Sequence, residues 1–184
     1  MQNSKAKEVA LGGVLFALAL ALSFLESIIT PLLGLMPGIK LGLSNVVVMY
    51  ALFFMGSRQA YTLCLLKAFF VLLTRGAVAG FLSLCGGLLS LTVMLLLCRL
   101  PIPVTDYILS VCGSVFHNLG QLIAASFVLK NMFTLAYAPI LLVSGLVMGA
   151  LTARGLTAIL PALRRLGYNT QKPDKKSRET KKNC

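Results

Sequence analysis

The sequence has very little acid. Of its 184 residues only five are Asp or Glu and one is His, and charged residues make up 12% of the chain. Hydrolysis by general acid–base chemistry needs paired carboxylates or a partnered histidine, and neither can be assembled from this set. The five cysteines (Cys64, Cys85, Cys98, Cys112, Cys184) form no CxxC and no metal-ligand spacing. Four of them lie inside apolar stretches, where a thiol acts as a small hydrophobe. No Walker sequence is present, so the chain does not hydrolyse ATP by itself. No aspartate-rich pair is available to hold magnesium against a diphosphate. Nor is there a run of buried acids of the kind proton-driven pumps use. These absences predict a protein that is not an enzyme and carries no cofactor and no metal.

What is present is hydrocarbon. The chain is 58% hydrophobic, with a mean hydropathy of +0.88, well outside the range of soluble domains. From Val9 to Leu163 it reads as long apolar runs, and nearly all Lys and Arg fall at alternate breaks or beyond the last run. Because hydrocarbon tolerates no unpaired backbone group, such runs predict membrane-spanning helices. Six spans are expected, near 8–25, 41–55, 59–74, 78–98, 105–129 and 136–158. The first is too long for a signal peptide and lacks a small-residue cleavage pattern. Between the first two, the stretch from Ser27 to Lys40 holds Pro31, Gly34, Pro37 and Gly38, and is expected to break the helix and gate a pocket as a lid at the membrane face.

The basic residues set the orientation. With the N-terminus inside, the cytoplasmic face receives Lys5, Lys7, Arg58, Arg99, Arg154, Arg164, Arg165 and six more in the tail, 13 in all. The opposite face receives three, Lys40, Arg75 and Lys130. The positive-inside rule then places both termini in the cytoplasm of a multi-pass protein of the plasma membrane. The expected organisation is a six-helix transmembrane domain over 1–166 and a basic, disordered cytoplasmic tail over 167–184. A net charge of +12 concentrated in this way points to anionic lipid near the tail and not to nucleic acid.

Small residues recur at four-residue spacing, which lets membrane helices approach closely. Gly13, Ala17 and Ala21 form such a stripe on the first span, Ser83 and Gly87 on the fourth, and Gly145, Gly149 and Ala153 on the sixth. Internal packing accounts for any one of them. The first span, at the edge of a bundle, is the better candidate for docking a second membrane subunit.

Ionisable groups at membrane depth are costly and mark cavities or partners. Here they are Glu26, Lys40, Lys67, Arg75 and His117, with the neutral Asn45, Asn118 and Gln121. His117 and Gln121 are one helical turn apart and share a face, with Asn118 beside them. His117 lies about 16 Å along its helix from Asp106, near mid-membrane. Lys67 is about 12 Å from the nearer end of its own span, too deep to reach the interface easily. Lys40 and Asn45 open the second span from the outer side. Lys40, Asn45, Lys67, His117, Asn118 and Gln121 are therefore expected to line one pocket in the outer half, suited to an anionic or acceptor-rich solute. Glu26 is expected to clamp Lys40, and the polar cluster has interhelical hydrogen bonding as its plainer alternative.

Three stretches carry a resemblance. They are Pro37-Gly38-Ile39-Lys40-Leu41-Gly42-Leu43-Ser44-Asn45, Ser83-Leu84-Cys85-Gly86-Gly87-Leu88-Leu89-Ser90, and Val115-Phe116-His117-Asn118-Leu119-Gly120-Gln121. Together they resemble the bacterial family labelled heptaprenyl diphosphate synthase component I, also called the Gx transporter family. That family is similar to the substrate-binding S components of energy-coupling-factor vitamin transporters. The resemblance implies a six-helix protein that binds one small solute near the outer face. It also implies docking on a membrane coupling subunit served by ATPases, through a small-residue stripe on the first helix, here Gly13, Ala17 and Ala21. The solute is expected to be an anionic or polar vitamin-like molecule, or one related to isoprenoids or quinones. The alternatives are a membrane accessory of prenyl diphosphate or quinone synthesis, and an assembly subunit of a membrane complex.

Overall fold

The computed structural model describes residues 2–32, 43–100, 104–129 and 138–165, with side chains described for 9–29, 32, 44–100, 104–128 and 138–154. Six helices account for nearly all of them: α1 (Gln2–Leu32), α2 (Leu43–Phe54), α3 (Ser57–Arg75), α4 (Ala77–Arg99), α5 (Asp106–Leu129) and α6 (Ala138–Arg165). No strand occurs among the described residues. The fold is an all-α bundle.

Two glycines make the sharpest corners. Gly56 joins α2 to α3 at φ 98°, ψ 175°, and Gly76 joins α3 to α4 at φ 91°, ψ 172°. That region of backbone space is essentially closed to residues with a Cβ, so each helix stops where its glycine stands. At the other end of α4, Leu100 turns extended just before Pro101. The Thr105 hydroxyl accepts the backbone N–H of Ile108 at 3.4 Å, capping α5. Asp106 in its first turn adds a favourable charge at the positive end of the helix dipole.

Consecutive helices from α3 to α6 pack in series, α3 on α4, α4 on α5 and α5 on α6. Helix α1 leans on α2 and α3, and α2 touches α1, α3, α5 and α6. Helix α4 therefore stands between α3 and α5. The closest crossings are made by missing side chains. A Cβ on Gly149 would lie 2.6 Å from the Val111 Cα, and one on Gly120 would lie 2.9 Å from the Gly86 Cα. Backbones this close are how helices gain contact where lipid supplies no hydrophobic drive.

The molecule is apolar outside. Val9, Val14, Phe24, Phe69, Leu73, Leu96, Phe127 and Val147 are among many large apolar side chains left exposed along the helices. Ser23, Glu26, Ser44, Asn45, Lys67, Ser83, Ser90, Ser110, His117, Asn118, Gln121 and Thr152 are buried. A soluble protein with this surface would aggregate; a membrane protein requires it. Three helical segments, Val9–Ile29, Ala77–Arg99 and Asp106–Val128, are long and apolar enough to cross a membrane. The protein is membrane-embedded.

One sequence expectation needs correction. The helix break does not begin at Ser27, because α1 continues through Pro31 to Leu32. Local turn chemistry at a single proline has been overridden near the end of a 31-residue helix. The remainder of the expected break, with Lys40, lies outside the described residues. The described part of the second apolar run is a 12-residue helix, about 18 Å long at 1.5 Å per residue. Helix α2 is enclosed by its neighbours, with Val48, Ala51 and Leu52 at 1% exposure or less.

Candidate functional site

The interior is divided along its length. The main apolar core gathers Leu15 and Ala19 of α1, Val47 to Phe54 of α2, Ala60 and Leu63 of α3, Leu91 and Met94 of α4 and Leu109 of α5. These residues belong to the half of the bundle that carries Gly56, Arg99 and Asp106. Among the described residues, the opposite half has only a small apolar cluster around Leu122 and Leu141. Most of the buried polar side chains lie in that half or at the boundary, and they fall into two groups.

The first group joins α1 to α3. Glu26 and Lys67 are 2% and 5% exposed. The electrostatic neighbours of Lys67 are Glu26, which attracts it, and Arg75, which repels it, with the Cys64 thiol one turn away. The Arg75 guanidinium donates to the Ser23 carbonyl at 2.6 Å. A lysine at membrane depth needs a counter-charge, and here the acid comes from α1. Glu26 is thus the acid among the electrostatic neighbours of Lys67, while its expected partner Lys40 is outside the described residues.

The second group runs across α2, α4, α5 and α6. Asn45 Nδ2 donates to Ser90 Oγ at 3.4 Å, and Ser90 Oγ donates to the Gly113 carbonyl at 2.7 Å. Asn118 Nδ2 donates to the Leu141 carbonyl at 2.8 Å and lies 3.2 Å from Ser144 Oγ. His117 and Gln121 pack over Gly86, where a Cβ would come within 2.7 Å of both the Gln121 Cγ and the His117 carbonyl oxygen. On the other side of α4, a Cβ on Gly87 would collide with the Cys64 sulfur. The Gly86–Gly87 pair therefore lets α4 sit tightly between the Lys67 helix and the His117 helix. Gln121 is 3% exposed, and neither its amide oxygen nor its amide nitrogen has a hydrogen-bond partner among the described residues. A buried amide left in this state costs about 1–3 kcal/mol per group, which favours any water or solute able to meet its donor and acceptor.

Of the six expected pocket residues, Asn45, Lys67, His117, Asn118 and Gln121 are all buried. His117 and Gln121 share one face over Gly86, Asn118 turns to α6, and Asn45 reaches α4. No hydrogen bond among the described residues joins Lys67 to the α5 group. Sequence spacing could not reveal Ser23, Ser90 and Ser144 as partners, since serines are common in membrane helices and only packing selects the ones that bond. Among the described residues, no three His, Cys, Asp or Glu side chains gather as a metal site.

The small-residue stripes part company. Gly145 and Gly149 face α5 at Val115 and Val111, and Gly87 faces α3, so these are internal packing. Gly13, Ala17 and Ala21 are exposed on α1, and a Cβ on Gly13 would meet nothing within 4 Å.

A feature with no sequence signal lies at the other end of the bundle. A cavity of about 350 Å³ opens between α1 and α3, lined chiefly by apolar residues with Arg58, Gln59 and Thr62.

Residues 15–159 match the family model described as heptaprenyl diphosphate synthase component I. Neither a curated protein nor a solved structure matches the chain.

Proposed function

The chain belongs to the heptaprenyl diphosphate synthase component I family, and we propose that it is the solute-binding membrane component of a small-molecule uptake system of the energy-coupling-factor type. One observation carries this reading: a bundle with an apolar exterior concentrates its buried polar side chains in one half and fills the other with hydrocarbon. Such an interior is closed toward one membrane face and chemically equipped toward the other. Asn45, Lys67, His117, Asn118 and Gln121, with Lys40, would meet the solute. Gln121 supplies an amide with both hydrogen-bonding atoms uncommitted, and Lys67 supplies a positive charge that Glu26 partly offsets. That combination suits a polar or anionic vitamin-like solute, or one related to isoprenoids or quinones.

Energy would come from partners. The exposed stripe Gly13, Ala17, Ala21 is available to a helix of a membrane coupling subunit, which ATPases would drive. The charge distribution favours the plasma membrane with both termini cytoplasmic. The description of the family supports a second reading, a membrane accessory of prenyl diphosphate synthesis, in which Lys67 and Arg75 would handle a lipid diphosphate. Affinity purification of the tagged chain from mildly solubilised membranes separates the two. The transport reading expects a membrane coupling subunit and ATPases to copurify. A soluble synthase subunit in their place would overturn it.

A further inference from the structure

The cavity between α1 and α3 belongs to neither polar group and plays no part in the proposed solute pocket. Its floor is apolar, with Leu15 and Leu63 at 6% and 5% exposure. Its rims, Val9 on α1 and Leu66 on α3, are 75% and 44% exposed on the surface that faces hydrocarbon. Helix α1 presents Gly12 to the hollow, its Cβ position 3.5 Å from the terminal methyl of Met55. At about 350 Å³ it falls within the range of roughly 300–1,000 Å³ typical of ligand pockets.

The polar end has a definite sign. Arg58 is exposed and is the single charged residue lining the cavity among the described residues. Arg58, Thr62 and Leu66 follow one another at four-residue spacing along one face of α3. The lining thus runs from a cation at the start of α3, where the chain leaves the membrane at Gly56, to bare hydrocarbon about 12 Å deeper. What fills an apolar groove open sideways to the bilayer is an acyl chain. What sits at its cationic end, at the level of the membrane face, is an anionic headgroup.

We propose that the α1–α3 groove binds one acidic diacyl phospholipid, its phosphate at Arg58 and one acyl chain over Leu15 and Leu63 between Val9 and Leu66. The site is distinct from the solute pocket and holds whether or not the chain transports anything. It ties a lipid to the helix that also presents the Gly13, Ala17, Ala21 stripe.

The chain contains no tryptophan, so a single introduced indole reports on one place. Leu66→Trp puts it on the groove rim, and Val143→Trp, at a 61% exposed position of α6, puts it on the far surface as a control. Each protein is reconstituted in equimolar phosphatidylglycerol and phosphatidylcholine, with brominated acyl chains on one lipid or the other, and quenching is measured. A basic side chain at the membrane surface enriches acidic lipid by roughly fivefold, so brominated phosphatidylglycerol should be the stronger quencher in Leu66→Trp by about that factor. The two lipids should quench equally in Val143→Trp. Adding Arg58→Gln should remove the preference in Leu66→Trp, and adding Gly12→Leu, which fills the groove, should reduce quenching there by both lipids. Equal quenching by the two lipids in Leu66→Trp would overturn the proposal. So would a preference that survives Arg58→Gln, or the absence of quenching by either lipid, which would mean that protein covers the groove.

Discussion

Replacing Glu26 with Gln removes the one acid among the electrostatic neighbours of Lys67 and leaves that lysine at 5% exposure facing Arg75. Breaking a buried pair by removing one partner costs about 3–5 kcal/mol, because the survivor is neither solvated nor neutralised. The geometry ranks the two single variants. Glu26→Gln leaves two cations in mutual repulsion and belongs at the upper end. Lys67→Met leaves Glu26 one turn from Ser23, to whose carbonyl the Arg75 guanidinium donates, and belongs at the lower end. In a chain of this size each kcal/mol moves the Tm by about 2–4 °C, so Glu26→Gln should lower it by roughly 10–20 °C and Lys67→Met by roughly 6–12 °C. The double variant Glu26→Gln/Lys67→Met should lose less than either single one, since replacing a buried pair by uncharged side chains is often close to neutral. Cys64 is a buried free thiol, and a thiol-reactive fluorogenic dye added to detergent-solubilised protein reads the unfolding of each variant. If the two single losses simply add in the double variant, Glu26 and Lys67 are not coupled, and the account of how the membrane interior tolerates Lys67 fails.

Two further outcomes are expected. Reporter fusions should place the chain near Arg58, Arg99 and Arg165 in the cytoplasm and that near Gly76 on the other side; an external C-terminus would contradict the orientation. Ala17→Leu should abolish copurification of a coupling subunit while leaving the bundle folded, because Ala17 is exposed and a bulky side chain there fills the approach of a partner helix. Misfolding of that variant in the membrane would instead make the stripe an internal packing surface.

Much of the architecture was legible because the chain punctuates itself. Gly56, Gly76 and the Arg99–Pro101 break end helices for reasons of backbone geometry and of missing donors, and these act locally. The polar face of α5 was legible for a similar reason, since His117 and Gln121 are one turn apart on any helix. The acid near Lys67 was not. It comes from α1, and so depends on α1 leaning on α3, which no local signal gives. The role of α2 was hidden as well: a continuous apolar run looks the same whether lipid or protein surrounds it. Even the sorting of the small-residue stripes needed the packing, because Gly149 and Gly13 differ in what faces them and not in their local sequence.

The central claim is that the polar half of the interior holds one small solute. Native mass spectrometry of the protein released from mild detergent tests it directly. The parent chain should carry a single small-molecule adduct at one-to-one stoichiometry. His117→Ala should weaken retention by several-fold, for a hydrogen bond of about 1 kcal/mol, and Gln121→Leu should reduce the bound fraction further, because both amide atoms are lost. An adduct-free parent, or an adduct retained equally by the parent and both variants, would contradict the account and leave these residues as interhelical glue.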